Sequence, residues 1–221
     1  MKVRDVPQTG SLGETVSYQN RFGLVRRRKI IPRDPCTPAQ VERRLTFQRV
    51  RAFWGTITDE QRLAWNTVAS RRRTQSVLGR SGPISGYLLC VAINTNLAAI
   101  GLPLTADPAP PPTFPSNPVG PLTATRTGGT VSLQLEVSGS PAPYIIVLGA
   151  KPKGPGISYV DHYTILGVLP MPQGGFSDIT SIYVAKYGVP RVGQRIFIQT
   201  IQQINGWRNI PKPTRALVQT L

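Results

Sequence analysis

A proline-rich stretch in the middle of the chain separates two regions with different residue patterns. Residues 103–121 hold eight prolines in nineteen positions. Proline fixes φ and has no backbone N–H to donate, so this stretch favours an extended polyproline conformation. Helical patterns precede it and alternating strand patterns follow it. We therefore predict a multidomain α+β chain with a linker at 103–121; a proline-recognition motif for another protein is the alternative.

The region before the linker, residues 37–102, is predicted to form a three-helix module. Thr-x-x-Gln motifs at 37–40 and 58–61 are capping boxes, and the first of them places a proline at the first helical position. The first helix is expected to stop at Gly55 and the second near Ala69.

The third helix is expected to span 84–100, with Ser81 or Ser85 as its N-cap. Its expected apolar stripe consists of Ile84, Tyr87, Leu88, Val91 and Thr95. The first two helices are expected to pack Leu45, Phe53 and Trp54 against Leu63, Trp65 and Val68. A stacking surface for nucleic acid is the alternative role of these aromatic side chains.

The region after the linker, residues 122–221, carries strand patterns throughout. Residues 130–137 alternate, with apolar side chains at the odd positions and polar ones at the even positions. Asn205-Gly206 between two strand-like runs is a strong hairpin signal. Further strands are predicted over 144–148, 179–184, 194–204 and 207–220, and one or two strands are predicted over 157–169. Six or seven short strands in about 100 residues are typical of an antiparallel β-sandwich.

The chain is strongly basic, with 26 Lys and Arg against 10 Asp and Glu and a net charge of +16. Residues 1–102 carry 17 of the basic groups, and arginine outnumbers lysine by 20 to 6. Because the planar guanidinium pairs with carboxylates and phosphates, this bias indicates an acidic partner. A genome of high GC content, which encodes arginine often, is the alternative explanation.

The basic groups are densest over residues 21–51, and the N-terminal segment, residues 1–36, shows no sustained helical or strand period. We predict an extended basic arm that is disordered alone and ordered on a partner, with its cations on acidic surface and its apolar groups in grooves. The candidate partner-binding residues of the arm are Arg21, Phe22, Leu24, Arg26, Arg27, Arg28, Lys29, Ile30, Ile31 and Arg33. Further candidates for a basic contact are Arg43, Arg44, Arg51, Arg71, Arg72 and Arg73.

The composition argues against an enzyme, a cofactor and a metal site. The single histidine, His162, follows Asp161 directly, and neighbours on a strand point to opposite faces. The spacing of Cys36 and Cys90 fits no metal or redox pattern, which indicates free thiols in a reducing compartment; a disulfide or a reactive thiol is the alternative. No run approaches the length of a membrane-spanning helix, and the N-terminus lacks the apolar core of a signal peptide.

The C-terminal region resembles a fibronectin type III domain. The resemblance rests on the proline at Pro121, the alternating strand at 130–137, and residues 193–198 leading to 205–207. The resemblance implies a fibronectin III or Ig-like sandwich over 122–221. The tryptophan expected on the second strand and the tyrosine of the corner motif are missing, so an Ig-like sandwich of another topology is the alternative.

The N-terminal hundred residues resemble an uncharacterised module of tailed-phage and prophage-linked proteins. The pattern is Pro-x-Thr-x-Ala-Gln at 35–40, followed by Ile-Thr-x-x-Gln-Arg-x-x-Trp at 57–65. Other matching residues are Arg21-Phe22-Gly23, Pro32-Arg33-Asp34, Arg43, Arg44, Phe47 and Ser85-Gly86-Tyr87. Cys36 stands where such proteins often carry arginine. The resemblance carries no assigned chemistry and implies a virion component by association.

These observations predict a structural protein of a tailed-phage particle, assembled in the host cytoplasm and located in the virion. The arm and the helices would anchor it to other virion proteins of the capsid, neck or tail, as an oligomer in the assembly, and the sandwich would project. The alternative is a nucleic-acid-binding protein that uses the arginine-rich residues 21–80.

Overall fold

The computed structural model describes residues 9–20, 23–73, 82–139 and 144–220. The chain divides into two compact units, residues 1–43 and residues 44–221. The division falls inside the first helix, whereas the residue pattern predicts it at the proline-rich stretch. Four helices and several sheets occur in the described residues, which makes the fold mixed α+β.

The first unit contains a three-stranded antiparallel sheet, so the predicted extended arm is wrong over these residues. Its strands are β1 (Gly10–Leu12), β2 (Thr15–Asn20) and β3 (Gly23–Arg28), in the order β1-β2-β3. Gly13, at φ 54°, occupies the left-handed conformation in the two-residue turn between β1 and β2. The sequence pattern does not predict these short strands, because Val16 and Tyr18 alternate with polar residues over too few positions to give a clear period.

Helices α1 (Pro38–Thr56), α2 (Asp59–Ser70) and α3 (Gly86–Ala98) begin where the caps predict. Both capping boxes are formed in both directions; in the second, Gln61 N donates to Thr58 Oγ1 at 3.3 Å and Thr58 N donates to Gln61 Oε1 at 3.0 Å. Ser85 caps α3, and Ser81 lies outside the described residues. Helix α1 continues through Gly55 for one more residue.

The helical core confirms part of the predicted packing, because buried Trp65 lies in one cluster with half-buried Phe53, Trp54 and Val68. Leu45 and Leu63 are 60% and 66% exposed, so the expected contact between α1 and α2 through them is wrong. The buried face of α3 consists of Gly86, Leu89, Cys90, Val91, Ile93, Asn94 and Leu97. Leu88, expected on this face, is exposed. The buried face of α3 differs from the predicted stripe because Gly86 packs directly against α2. A Cβ at Gly86 would lie 2.5 Å from Asn66 Oδ1 and 2.8 Å from the carbonyl carbon of Trp65.

Two further sheets lie in the second unit. Their strands are β4 (Val119–Thr127), β5 (Thr130–Val137), β6 (Tyr144–Gly149), β7 (Thr164–Val168), β8 (Phe176–Asp178), β9 (Arg195–Ile204), β10 (Trp207–Arg208), β11 (Lys212–Leu217) and β12 (Gln219–Thr220). One sheet has the order β10-β9-β6-β7, with β11 also paired to β9, and the other has the order β12-β4-β5-β8. Among the described strands of these two sheets, all pairs are antiparallel except β12 with β4.

The two sheets contribute to one hydrophobic core. Val131, Leu133, Leu135 and Val137 are buried on β5, which confirms the predicted alternation. Side chains of β6 and β9 lie in the same cluster, among them Ile145, Val147, Ile196 and Ile198. The return strand after the hairpin crosses from one sheet to the other, because β11 pairs with β9 and β12 pairs with β4.

The predicted hairpin at Asn205-Gly206 is confirmed. Asn205 has φ 49° and Gly206 has φ 80°, and Trp207 pairs with Ile204 directly across the turn. Positive φ at both central residues is the signature of a type I′ turn, whose twist matches that of the flanking strands.

The strand predicted over 179–184 is wrong, because this segment lies in helix α4 (Thr180–Tyr187). Asp178 Oδ1 accepts a hydrogen bond from Thr180 N at 2.8 Å at the start of the helix. Buried Ile179 and Tyr183 and half-buried Tyr187 lie four residues apart, which is the spacing of a helix face. Two other predicted strand segments contain less strand than expected. Residues 157–169 contain the single strand β7, and residues 207–220 contain three short strands, β10, β11 and β12.

The proline-rich stretch is fixed by hydrogen bonds from both the helices and the sheets. Trp65 Nε1 donates to the carbonyl of Ala106 at 2.7 Å, and Trp207 Nε1 donates to the carbonyl of Ala109 at 3.0 Å. Trp207, from the strand after the hairpin, belongs to the core cluster of the helices. Asn96 Nδ2 on α3 donates to the carbonyl of Gly206 at 2.9 Å. The stretch therefore packs within the second unit, whereas the proline count predicts a spacer.

Candidate functional site: two basic surfaces

One face of the N-terminal sheet combines aromatic, apolar and basic groups. The register pairs Tyr18 with Val25 and Val16 with Arg27, so all four side chains share a face. The Arg27 guanidinium lies 5.4 Å from the centroid of the Tyr18 ring, within cation–π range. This contact holds a cation beside an aromatic surface.

The opposite face of the same sheet presents Leu12, Ser17, Leu24, Arg26 and Arg28. Leu12 is 74% exposed, and Leu24 is exposed as well. Arg26 Nε donates to Ser17 Oγ at 3.2 Å, and Arg28 lies 3.9 Å from Glu14 across an exposed ion pair. Each face of this thin sheet therefore carries arginine next to uncovered apolar surface.

The segment after β3 extends this basic and apolar surface. Ile30 and Ile31 are each 80% exposed and lie between Lys29 and Arg33, which are also exposed. Two adjacent isoleucines with side chains this exposed are unusual on the surface of a protein and are typical of a binding segment. The other two predicted arm residues, Arg21 and Phe22, lie outside the described residues.

A second basic surface is a groove between α1 and α3 with a volume of about 630 Å³. It is lined by Arg44, Phe47, Gln48, Arg51, Ala52 and Tyr87. Arg51 Nε donates to Tyr87 Oη at 3.0 Å, and its guanidinium lies 5.8 Å from the centroid of the Phe47 ring. Arg51 is therefore oriented by two aromatic side chains. The sequence predicts Arg44 and Arg51 as contacts but not Phe47 and Tyr87, which the fold brings to the same groove.

The arginine triplet after α2 does not act as one surface. The Arg72 guanidinium lies 4.3 Å from the centroid of the Trp207 ring, where it covers the helical core. Arg73 forms a single backbone bridge with Pro83, and Arg71 is the C-cap residue of α2. Arg43, the remaining predicted contact, is exposed on α1. The basic groups of 71–73 are thus partly committed to packing.

The thiols occupy opposite environments. Cys36 is exposed and Cys90 is buried, and both are free. Burial raises the pKa of the Cys90 thiol, and the hydrogen bond from Asn94 Nδ2 to its sulfur at 3.3 Å opposes this shift. Among the described residues, no three acidic, histidine or cysteine side chains come together as a metal site, and no helix is long and apolar enough to cross a membrane.

Comparison with known proteins adds no relative to this picture. No family model, no curated protein and no solved structure matches the chain.

Proposed function

We propose that this protein is a structural component of a larger assembly and binds a partner protein through the first unit. The main observation in support of this proposal is that apolar side chains next to arginine are exposed, at Leu12, Leu24, Ile30 and Ile31. A three-stranded sheet needs a packed face for independent stability. In the described part of the first unit the only buried residue is Ser17. A partner surface would supply the missing burial.

A protein partner fits this surface better than nucleic acid does. Phosphate binding needs cations, hydrogen-bond donors and stacking rings, and it gains little from exposed leucine and isoleucine. A partner with acidic groups beside apolar grooves would satisfy both kinds of side chain. The proposed partner surface is therefore acidic and partly apolar.

The resemblance of residues 21–87 to the tailed-phage module supports a virion as the assembly. In this proposal the chain is a non-enzymatic virion protein, present as an oligomer and attached to the capsid, neck or tail. The two sheets, which share one core, are proposed to form an Ig-like or fibronectin III-like sandwich that projects from the particle. The crossing of the last strands from one sheet to the other supports this architecture.

Nucleic-acid binding is the second candidate, and the groove of Arg44, Phe47 and Arg51 is the observation that favours it. Phe47 is exposed beside an arginine that aromatic contacts hold in place. A base stacked on Phe47 with a phosphate at Arg51 would use both groups.

The two candidates are separated by nuclease treatment and salt. Particles purified from the host that carries the gene are digested with nuclease, washed in rising salt and analysed by mass spectrometry. The structural role predicts that the chain stays with the particle proteins after both treatments. Release by nuclease, together with an affinity for DNA that falls by about 10³–10⁵ between 50 and 200 mM salt, would support nucleic-acid binding instead.

A further inference from the structure

The connection between β6 and β7 builds a cleft that the assembly role does not use. Residues 150–163 join the two strands without regular secondary structure. Connections of about this length are uncommon in compact domains unless they serve a function. This one lines a cavity of about 680 Å³, which is within the usual size range of ligand sites.

The cleft is held in place by hydrogen bonds to the backbone of the loop. Arg195 Nη1 donates to the carbonyl of Ile157 at 2.7 Å, and Arg215 Nη1 donates to the carbonyl of Ser158. The backbones of Lys153 and Arg195 exchange two hydrogen bonds, at 3.0 and 2.8 Å. At the base of the loop, Tyr183 Oη donates to the carbonyl of Ala150 at 2.9 Å. A site fixed in this way loses little conformational entropy when it binds a ligand.

Tyr159 stands between two cavities. Its side chain is 73% exposed, and it lines both the large cavity and a neighbouring one of about 260 Å³. The large cavity also presents the charged and titratable side chains Lys151, Lys153, Asp161 and His162. The small cavity is more apolar, with Tyr163, Phe197 and Pro213 in its wall beside Arg215. The result is an exposed aromatic ring with a polar, cationic site on one side and an apolar one on the other.

This set of groups matches the chemistry of an acidic sugar chain. The C–H faces of sugar rings pack on exposed aromatic rings, whose apolar body tolerates a wet environment. Lys151 and Lys153 can donate to a carboxylate, while Asp161 can accept from hydroxyl groups. We propose that the cleft binds an acidic oligosaccharide, with consecutive sugar rings on the two sides of Tyr159 and a sugar carboxylate at the two lysines.

An extended acidic peptide is the competing ligand, and the loop is poorly suited to it. Strand addition needs free backbone groups, but the carbonyls of Ile157 and Ser158 already accept hydrogen bonds from arginine side chains. Strand addition at this loop would therefore compete with the contacts that fix these two carbonyls.

The test uses the full-length chain and two matched sugars. A hyaluronan tetrasaccharide alternates glucuronate with N-acetylglucosamine, whereas chitotetraose has the same length without carboxylates. Binding is measured by calorimetry and by saturation-transfer NMR. The proposal predicts that the hyaluronan fragment binds and that chitotetraose binds at least about tenfold more weakly.

Two variants locate the site, and two controls match them. Tyr159→Ala is expected to lower the affinity for the hyaluronan fragment at least about tenfold. Lys151→Ala combined with Lys153→Ala is expected to remove the preference for the acidic sugar. Phe176→Ala removes another exposed aromatic ring, and Lys186→Ala with Arg191→Ala removes the same charge elsewhere. Both controls are expected to bind as the unchanged protein does, with every variant folded by circular dichroism.

Three results would overturn the proposal. One is the absence of binding to either sugar at millimolar concentration. Another is an equal loss of affinity in the variants and in their controls. The third is Tyr159-dependent binding of a tetraglutamate peptide with no binding of the hyaluronan fragment, which would make the cleft a peptide site.

Discussion

The two units of this protein stabilise themselves in different ways. In the first unit, Ser17 alone is buried among the described residues 9–19 and 23–43. The second unit buries two hydrophobic clusters, one around Trp65 and one around Tyr183. Apolar burial is the main favourable term in folding, at about 25 cal/mol per Å². The second unit therefore has its own source of stability, whereas the first has apolar surface left for a partner.

Thiol reactivity should give the largest difference between the units. Cys36 in the first unit is exposed, whereas Cys90 in the second is fully buried and has a raised thiol pKa, which lowers its thiolate fraction. We expect Cys36 to react with a thiol reagent in the native protein at least about three orders of magnitude faster than Cys90, which would wait for unfolding. The rates are measured at pH 8 on Cys36→Ser and Cys90→Ser single variants. Comparable rates would contradict the burial of Cys90 in a stable helical core.

Removal of Trp207 should give the next largest effect, because its ring joins the hairpin to the helical core. Trp207→Ala is expected to lower the free energy of unfolding by about 3–5 kcal/mol. Tyr18→Ala, at an exposed position of the N-terminal sheet, should change it by less than about 0.5 kcal/mol. Urea unfolding followed by circular dichroism measures both. A mild effect of Trp207→Ala would mean that the helices and sheets are stable without their shared core.

A smaller effect is expected at the turn glycine that contacts α3. A Cβ on Gly206 would lie 2.6 Å from Ile93 Cγ2 and 2.8 Å from the carbonyl oxygen of Ile93. Gly206→Ala is therefore expected to cost about 2–4 kcal/mol, from the left-handed backbone and the clash together. The control, Gly128→Ala, has φ 61° and open space around it, so it should cost only about 1 kcal/mol.

Equal destabilisation by Gly206→Ala and Gly128→Ala in the same urea experiment would contradict the close contact. The difference between the two values isolates the packing of the hairpin on α3, because the backbone strain is common to both.

The elements that sequence reasoning predicted are those whose cause is local. The capping residues Thr58 and Ser85, the alternation on β5 and the turn at Asn205-Gly206 each depend on a few neighbouring residues. The pattern at 179–184 predicts a strand where helix α4 forms, because a short apolar run fits both periods.

The features that it missed depend on distant contacts. The exposure of Leu45 and Leu63 reflects which faces the helices turn towards each other, and the caps do not determine this. The place of Trp207 in the helical core requires the hairpin to meet α3, more than 100 residues earlier in the chain. The groove also depends on a distant contact. The sequence predicts Arg51 as a basic contact, but Tyr87, its hydrogen-bond partner, lies 36 positions away.

We propose that the first unit attaches the protein to its assembly while the second unit folds without it. Deletion of residues 1–31 tests this proposal, with occupancy in purified particles as the readout and thermal unfolding as the control for folding. We predict that the truncated protein is soluble, unfolds cooperatively near the temperature of the full chain and is absent from the particle. Incorporation of the truncated protein at normal occupancy would contradict this proposal and would indicate that the helices attach the protein to the particle.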